Sequence, residues 1–85
     1  MKIVLEHDCM NGEFREEDEI TIDPTLGIAG DDYILFIYDD GRIDIGRVVI
    51  SPQSEVPLLE TADRKIHLTT DVEIAGKVIK LERTY

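Results

Sequence analysis

The chain has 85 residues, a formal net charge of −10 and a hydrophobic fraction of 42%. This length fits one small domain, residues 1–85, and the hydrophobic fraction is typical of a folded globular chain rather than a disordered one. No apolar run approaches the ~20 residues that a membrane-spanning helix needs. No signal peptide is expected either, because polar residues follow the first apolar ones at once, at Glu6-His7-Asp8.

The negative charge lies in the first half of the chain. Residues 1–44 contain 13 Asp and Glu against 3 Lys and Arg, whereas residues 45–85 contain 6 of each class. An acidic surface repels phosphate, so we do not expect this domain to bind nucleic acid directly. Cys9 is the only cysteine and cannot form an internal disulfide, which favours a reducing, cytoplasmic location.

The first part of the chain predicts two short strands separated by a polar loop. Residues 3–5 are apolar, whereas residues 7–19 are too polar and too aperiodic for a helix. Phe14 is the one large apolar side chain of that loop, and we expect it to attach the loop to the core. Residues 19–23 alternate polar and apolar side chains, which predicts a half-buried strand that Pro24 ends.

The middle of the chain predicts a hairpin at the centre of the fold. Residues 33–38 form the most hydrophobic run, apolar on both faces, as in a strand buried on both sides. Asp40-Gly41 is a strong hairpin signal, and residues 42–50 form the return strand. Gly46 inside that strand indicates either a bulge or a close approach of another group to the backbone.

The last part of the chain predicts three further strands. The long final strand changes the parity of its apolar side chains near Ala75-Gly76, which calls for a bulge. The expected elements are a short strand at 56–59, a turn at 61–64, a strand at 65–69 with Ile66 and Leu68 inward, and a strand at 72–83. The whole pattern predicts an all-β fold, a small, strongly bent sheet or partly open barrel of about seven strands.

Taken in order, these segments resemble the C-terminal domain of LexA and of lambda-type phage repressors. That family has a Ser-Met pair after its first strand, Gly-Asp and Asp-Pro pairs around the next strands, a hairpin, a strand carrying Lys-Arg, and a closing Gly-(Arg/Lys)-Val-Val strand. The corresponding residues here are Asp8-Cys9-Met10, Glu17 to Pro24, Gly30 to Leu35, Asp40-Gly41, Ile45-Gly46-Arg47-Val48 and Ala75 to Ile79. The resemblance implies the LexA-like peptidase fold over nearly the whole chain.

The chain departs from this family at the residues that carry its chemistry. Cys9 stands where the family has its serine nucleophile, and Gly46, just before Arg47, stands where it has the lysine that acts as general base. The upstream cleavage site of the family is not present in this chain. Glycine cannot accept a proton and Arg47 stays charged, so the resemblance implies a catalytically silent relative without a Ser–Lys dyad.

Other chemistry at these residues has weaker support in the sequence. His7 could assist Cys9 as a base, but the neighbouring carboxylates of Glu6 and Asp8 raise the pKa of a thiol rather than lower it. His7, Asp8, Cys9 and His67 match no standard zinc spacing, and residues 13–19 lack the regular pattern of a calcium loop. We therefore expect no metal and no cofactor.

The resemblance implies a role in assembly. In that family this domain forms dimers or higher oligomers, while a separate N-terminal helix-turn-helix domain binds DNA. A repressor of this kind that cannot cleave itself would need an antirepressor protein or another signal to switch it off. We expect the final strand to be an unpaired edge that recruits a second copy. The expected interface residues are Val72, Ile74, Val78, Ile79 and Leu81. Two alternatives remain: an active peptidase or autoprotease that uses Cys9, and an unrelated small β-barrel that binds a peptide or a small ligand.

Overall fold

The structure, a computed structural model, describes residues 1–25, 27–50, 52–53, 56–67 and 72–83. Within these ranges the chain forms seven strands and one short 3₁₀ turn. The strands are β1 (Lys2–Val4), β2 (Glu19–Asp23), β3 (Tyr33–Tyr38), β4 (Ile43–Val49), β5 (Leu58–Glu60), β6 (Lys65–His67) and β7 (Val72–Glu82), and the turn is Met10–Gly12. They form one curled antiparallel sheet, a half-barrel, in the order β1-β2-β7-β3-β4-β5-β6. The prediction of an all-β, strongly bent sheet is therefore confirmed.

The predicted hairpin lies at the centre of this sheet. β3 is the fourth strand in the order, and its residues 34–36 are fully buried, as expected for a strand that is apolar on both faces. β3 pairs with β4 in antiparallel register. Gly41 has a φ of +89° and donates its backbone N–H to the Tyr38 carbonyl oxygen at 2.9 Å, so the turn uses the conformation that glycine adopts without strain.

The second hairpin, β5–β6, leaves half of β4 without a strand on one side. β4 pairs with β5 only through residues 47–49. The predicted turn that follows β5 is confirmed, because the Thr61 N–H donates to the Arg64 carbonyl oxygen at 2.8 Å. Ile66 of β6 is partly buried, as predicted, whereas the expected inward position of Leu68 lies outside the described residues.

β7 is not the edge strand that the sequence predicts. It lies between β2 and β3: its residues 72–77 pair with β3, and its residues 77–82 pair with β2. The expectation failed because an alternating strand pattern does not reveal how many neighbours a strand has. The two neighbours overlap little along β7, so each half of the strand has a described partner strand on one side only.

Two irregularities let β7 change partners. The pairing with β3 shifts at Ala75, which confirms the predicted bulge, and the pairing with β2 shifts at Ile79. Between them, a Cβ atom at Gly76 would lie 3.0 Å from the backbone carbon of Asp23. The backbone at the end of β2 thus passes directly over β7 at a residue without a side chain.

The buried side chains form two clusters on opposite faces of the sheet, with alternate residues of β3 contributing to each. The first core consists of Leu5, Cys9, Phe14, Ile20, Ile22, Leu35 and Ile45. The second core consists of Ile34, Phe36, Val48 and Leu59. The loop between β1 and β2 closes over the first core, which places Cys9 beside β4.

Candidate functional site

Residues 5–18, between β1 and β2, form the Cys9 loop. This loop is held in place by its own backbone and by one aromatic residue. The Cys9 N–H donates to the Phe14 carbonyl oxygen at 2.7 Å, and the Phe14 N–H donates back to Cys9 at 3.2 Å. Phe14 is buried, as predicted, and meets the Tyr33 ring edge-on with centroids 5.1 Å apart. Met10 and Asn11 both have positive φ, at 53° and 56°, in the tight turn between these anchors. The loop is therefore fixed by its ends.

An ion pair attaches the far end of this loop to the end of β7. Asp18 is only 2% exposed, and both of its carboxylate oxygens accept hydrogen bonds from the Arg83 guanidinium, at 2.9 and 2.8 Å. The Arg15 N–H donates to the same carboxylate at 2.8 Å. The hydrogen bonds from Arg83 lower the pKa of Asp18, so the carboxylate stays charged while buried.

The Cys9 thiol lies in surroundings that keep it protonated. Cys9 is 3% exposed, and its Sγ lies 3.9 Å from the His7 carbonyl oxygen, to which the S–H donates. Burial raises the pKa of the thiol to about 12, and the nearby carboxylate of Asp44 acts in the same direction. A thiol with this pKa is almost entirely protonated at neutral pH, so it is not an activated nucleophile.

The hydrogen bond between His7 and this thiol is made by the backbone of His7. Its carbonyl oxygen accepts the hydrogen bond from Cys9, and the residue as a whole is exposed. The ionisable side chain beside the sulfur is instead Asp44, which accepts a hydrogen bond from the Tyr38 hydroxyl at 3.1 Å and one from the Ile45 N–H at 2.8 Å. Burial, and after it the Asp44 charge, raises the pKa of Tyr38 as well.

Asp44 is the site residue that the sequence analysis missed. It lies two residues before Gly46 on β4, so both residues face the same side of the strand. This parity gave no signal for the contact with Cys9, because the side of β4 that Gly46 and Asp44 share faces the second core, whereas Cys9 belongs to the first. What the pattern could not indicate is that the Cys9 loop folds back onto β4.

A side chain at Gly46 would be crowded by two residues of the second core. A Cβ atom there would lie 3.2 Å from both the Leu59 Cβ and the Phe36 Cε1 atoms. Gly46 pairs with Ile34 in regular register, so the close approach that the sequence predicts is confirmed and the alternative, a bulge at Gly46, is wrong. Side chains of the second core occupy the space that a lysine side chain at position 46 would need.

Two adjoining clefts lie between the Cys9 loop and the β5–β6 turn. The smaller, about 320 Å³, contains Cys9, Asp44 and Tyr38. Two guanidinium groups lie over the Tyr38 ring, those of Arg42 and Arg64, at 4.9 and 5.6 Å from its centroid. These cations pair with carboxylates, so the cleft has no excess positive charge for an anionic ligand.

The larger cleft, about 680 Å³, is lined by equal numbers of acidic and basic side chains. Arg47 on its floor reaches Asp31 at 3.1 Å and Glu60 at 3.2 Å, and Lys65 lies 3.9 Å from Glu60. Among the described residues no group of three or more His, Cys, Asp or Glu side chains could hold a metal ion. His67, which the sequence suggests as a possible ligand, has a side chain that the structure does not describe.

The predicted interface residues of β7 do not form one surface. Val72 and Ile74 pack against the second core, and Val78 packs against the first. Ile79 and Leu81 remain 50% and 39% exposed, within a run of four exposed residues from Ile79 to Glu82. Only the C-terminal half of β7 therefore offers apolar side chains to a partner.

Comparison with protein-family models, curated proteins and solved structures finds no match to this chain. The resemblance to LexA-type domains therefore rests on the ordered motifs of the sequence alone. In the part of the chain that the structure describes, no helix is long and apolar enough to cross a membrane.

Proposed function

We propose that this chain is a non-catalytic assembly module that associates with a second copy of itself through the C-terminal half of β7. The observation that carries the proposal is the exposed run Ile79–Glu82, which pairs with β2 on one side and with no described strand on the other. An exposed strand with a free row of backbone donors and acceptors is a template for another strand.

The Cys9 environment supports a non-catalytic role. The high pKa of the thiol and the absence of a base side chain at Gly46 both disfavour an activated nucleophile at neutral pH. The peptidase alternative therefore has less support than the assembly role.

The proposal includes the biological setting that the resemblance implies. In that setting the module is the C-terminal part of a phage or bacterial transcriptional repressor, and a separate helix-turn-helix domain contacts DNA. Linking two DNA-binding domains through such a module raises their effective concentration at paired operators. The net charge of −10 supports a division of labour in which this domain leaves the DNA contacts to the other.

Sedimentation equilibrium of three proteins tests the assembly role. The native chain should sediment as a dimer, and Leu81→Lys should shift it toward the monomer, because a charged side chain would replace an exposed apolar one within the run that is proposed to pair. Ile50→Lys is the matched control: Ile50 is also apolar and is 63% exposed, but it follows β4 instead of lying on β7. It should leave the dimer intact. A native chain that stays monomeric at the highest attainable concentration would refute the proposal.

A further inference from the structure

The direction of the backbone hydrogen bonds identifies which residue of β7 directs its N–H and C=O groups away from β2. One end of the β1–β2 pair shows this direction: the Ile22 N–H donates to the Met1 carbonyl oxygen at 2.8 Å, and the Met1 amine donates to the Ile22 carbonyl oxygen at 3.2 Å. The backbone groups of Ile22 therefore point toward β1. Because successive residues of an antiparallel strand direct their N–H and C=O groups to opposite sides, those of Glu19 and Thr21 point toward β7.

The same alternation continues into β7. Glu19 is opposite Glu82, and Thr21 is opposite Lys80, so the backbone groups of both β7 residues point back to β2. Leu81 lies between them, and its N–H and C=O therefore point to the side where no described strand pairs with it. Leu81 is the natural centre for pairing with another strand.

From this geometry, and resting on the proposed function, we infer that two copies pair their β7 strands antiparallel with Leu81 opposite Leu81 of the second copy. A twofold axis at this position lets each Leu81 exchange both backbone hydrogen bonds with its counterpart. It also places Lys80 of each copy opposite Glu82 of the other, at a distance that suits a cross-strand ion pair.

The charges distinguish this register from its two nearest alternatives. Centring the axis on Lys80 would place two lysines opposite each other, and centring it on Glu82 would place two glutamates opposite each other. Like charges directly opposite each other are destabilising. Both side chains are available for the contact, since Lys80 is 64% and Glu82 is 45% exposed, and they interact within one chain at 3.4 Å.

Exchanging the charges of Lys80 and Glu82 tests whether these two residues lie opposite each other in the dimer. Lys80→Glu alone, and Glu82→Lys alone, should each weaken the dimer on the order of tenfold, because each places like charges opposite each other twice. The double variant Lys80→Glu/Glu82→Lys should restore dimerisation, since every pair is again of opposite sign. An equimolar mixture of the two single variants should form heterodimers, visible by native mass spectrometry.

Disulfide trapping provides an independent readout. In a Cys9→Ala background, cysteine is placed at position 80, 81 or 82, one at a time, and the rate of dimer formation under mild oxidation is measured on a non-reducing gel. A twofold axis at Leu81 brings its two Cα atoms to about 5.5 Å, within the range for a disulfide, so Leu81→Cys should be trapped fastest.

The outcomes separate the register from the proposed function. A dimer that is trapped fastest through position 80 or 82, or that is indifferent to the charge exchange, would overturn the register and leave the assembly role standing. A native chain that never dimerises would overturn both.

Discussion

At the scale of single residues, burial and the carboxylate of Asp44 both raise the pKa of the Cys9 thiol. A peptidase thiol needs a cation or a base beside it, and here the neighbour is a carboxylate. The place of Cys9 after the first strand matches the resembled family, which has a serine there, whereas the chemistry of its surroundings is the opposite of what thiol catalysis requires.

This arrangement predicts slow alkylation of Cys9. The thiolate is the reactive form, and a pKa of about 12 makes it rare at neutral pH. Asp44→Asn should accelerate the reaction with iodoacetamide, because it removes one of the charges that disfavour the thiolate. Asp63→Asn, in the same cleft, is the control and should have little effect. The measurement is the alkylation rate as a function of pH; a native rate like that of a free cysteine would contradict the prediction.

The same pKa predicts how stability depends on pH. The unfolded thiol ionises near its usual 9.0, whereas the folded thiol keeps its proton until about pH 12. Below pH 9 the two states bind the same number of protons at this group, so it contributes no slope. Between these values the unfolded state binds fewer protons, and the free energy of unfolding should fall as pH rises. Denaturation curves of the native chain and of Cys9→Ala should differ in this alkaline slope, which the variant loses.

At the scale of elements, local signals were enough for some strands and not for others. The run at 33–38 and the Asp40-Gly41 turn are determined by neighbouring residues, and both agree with the structure. The place of β7 depends on pairing with strands that are distant in the sequence, and no local pattern encodes that choice. For the same reason Asp44 was missed, since its role arises only when the Cys9 loop meets β4.

Gly46 gives a test of how tightly the strands pack. Gly46→Ala should lower the free energy of unfolding by about 1–3 kcal/mol, because the new methyl group would press on Leu59 and Phe36. Gly27→Ala is the matched control: a Cβ atom there would have no neighbour within 4 Å, so the change should stay within about 0.5 kcal/mol. Urea denaturation measures both. Equal effects at the two positions would show that the space behind Gly46 is not filled.

At the scale of the whole molecule, the charge of −10 opposes the association of two copies. Raising the ionic strength from about 10 mM to about 150 mM shortens the Debye length from about 30 Å to about 8 Å, and repulsion between the acidic first halves is then screened. The dimer should therefore become several-fold tighter with added salt, as measured by sedimentation. Weakening by salt would mean that attraction between charges dominates the interface.

The position of β7 has a consequence for synthesis of the protein. β7 comes after every other described strand along the chain, yet it occupies the middle of the sheet, between β2 and β3. Until it has left the ribosome, the facing sides of β2 and β3 lack their partner, and the apolar segments already made stay accessible to chaperones and proteases. The sheet cannot be completed until β7 is available, so a nascent chain stalled before residue 72 would expose apolar strands and be a client for holding chaperones.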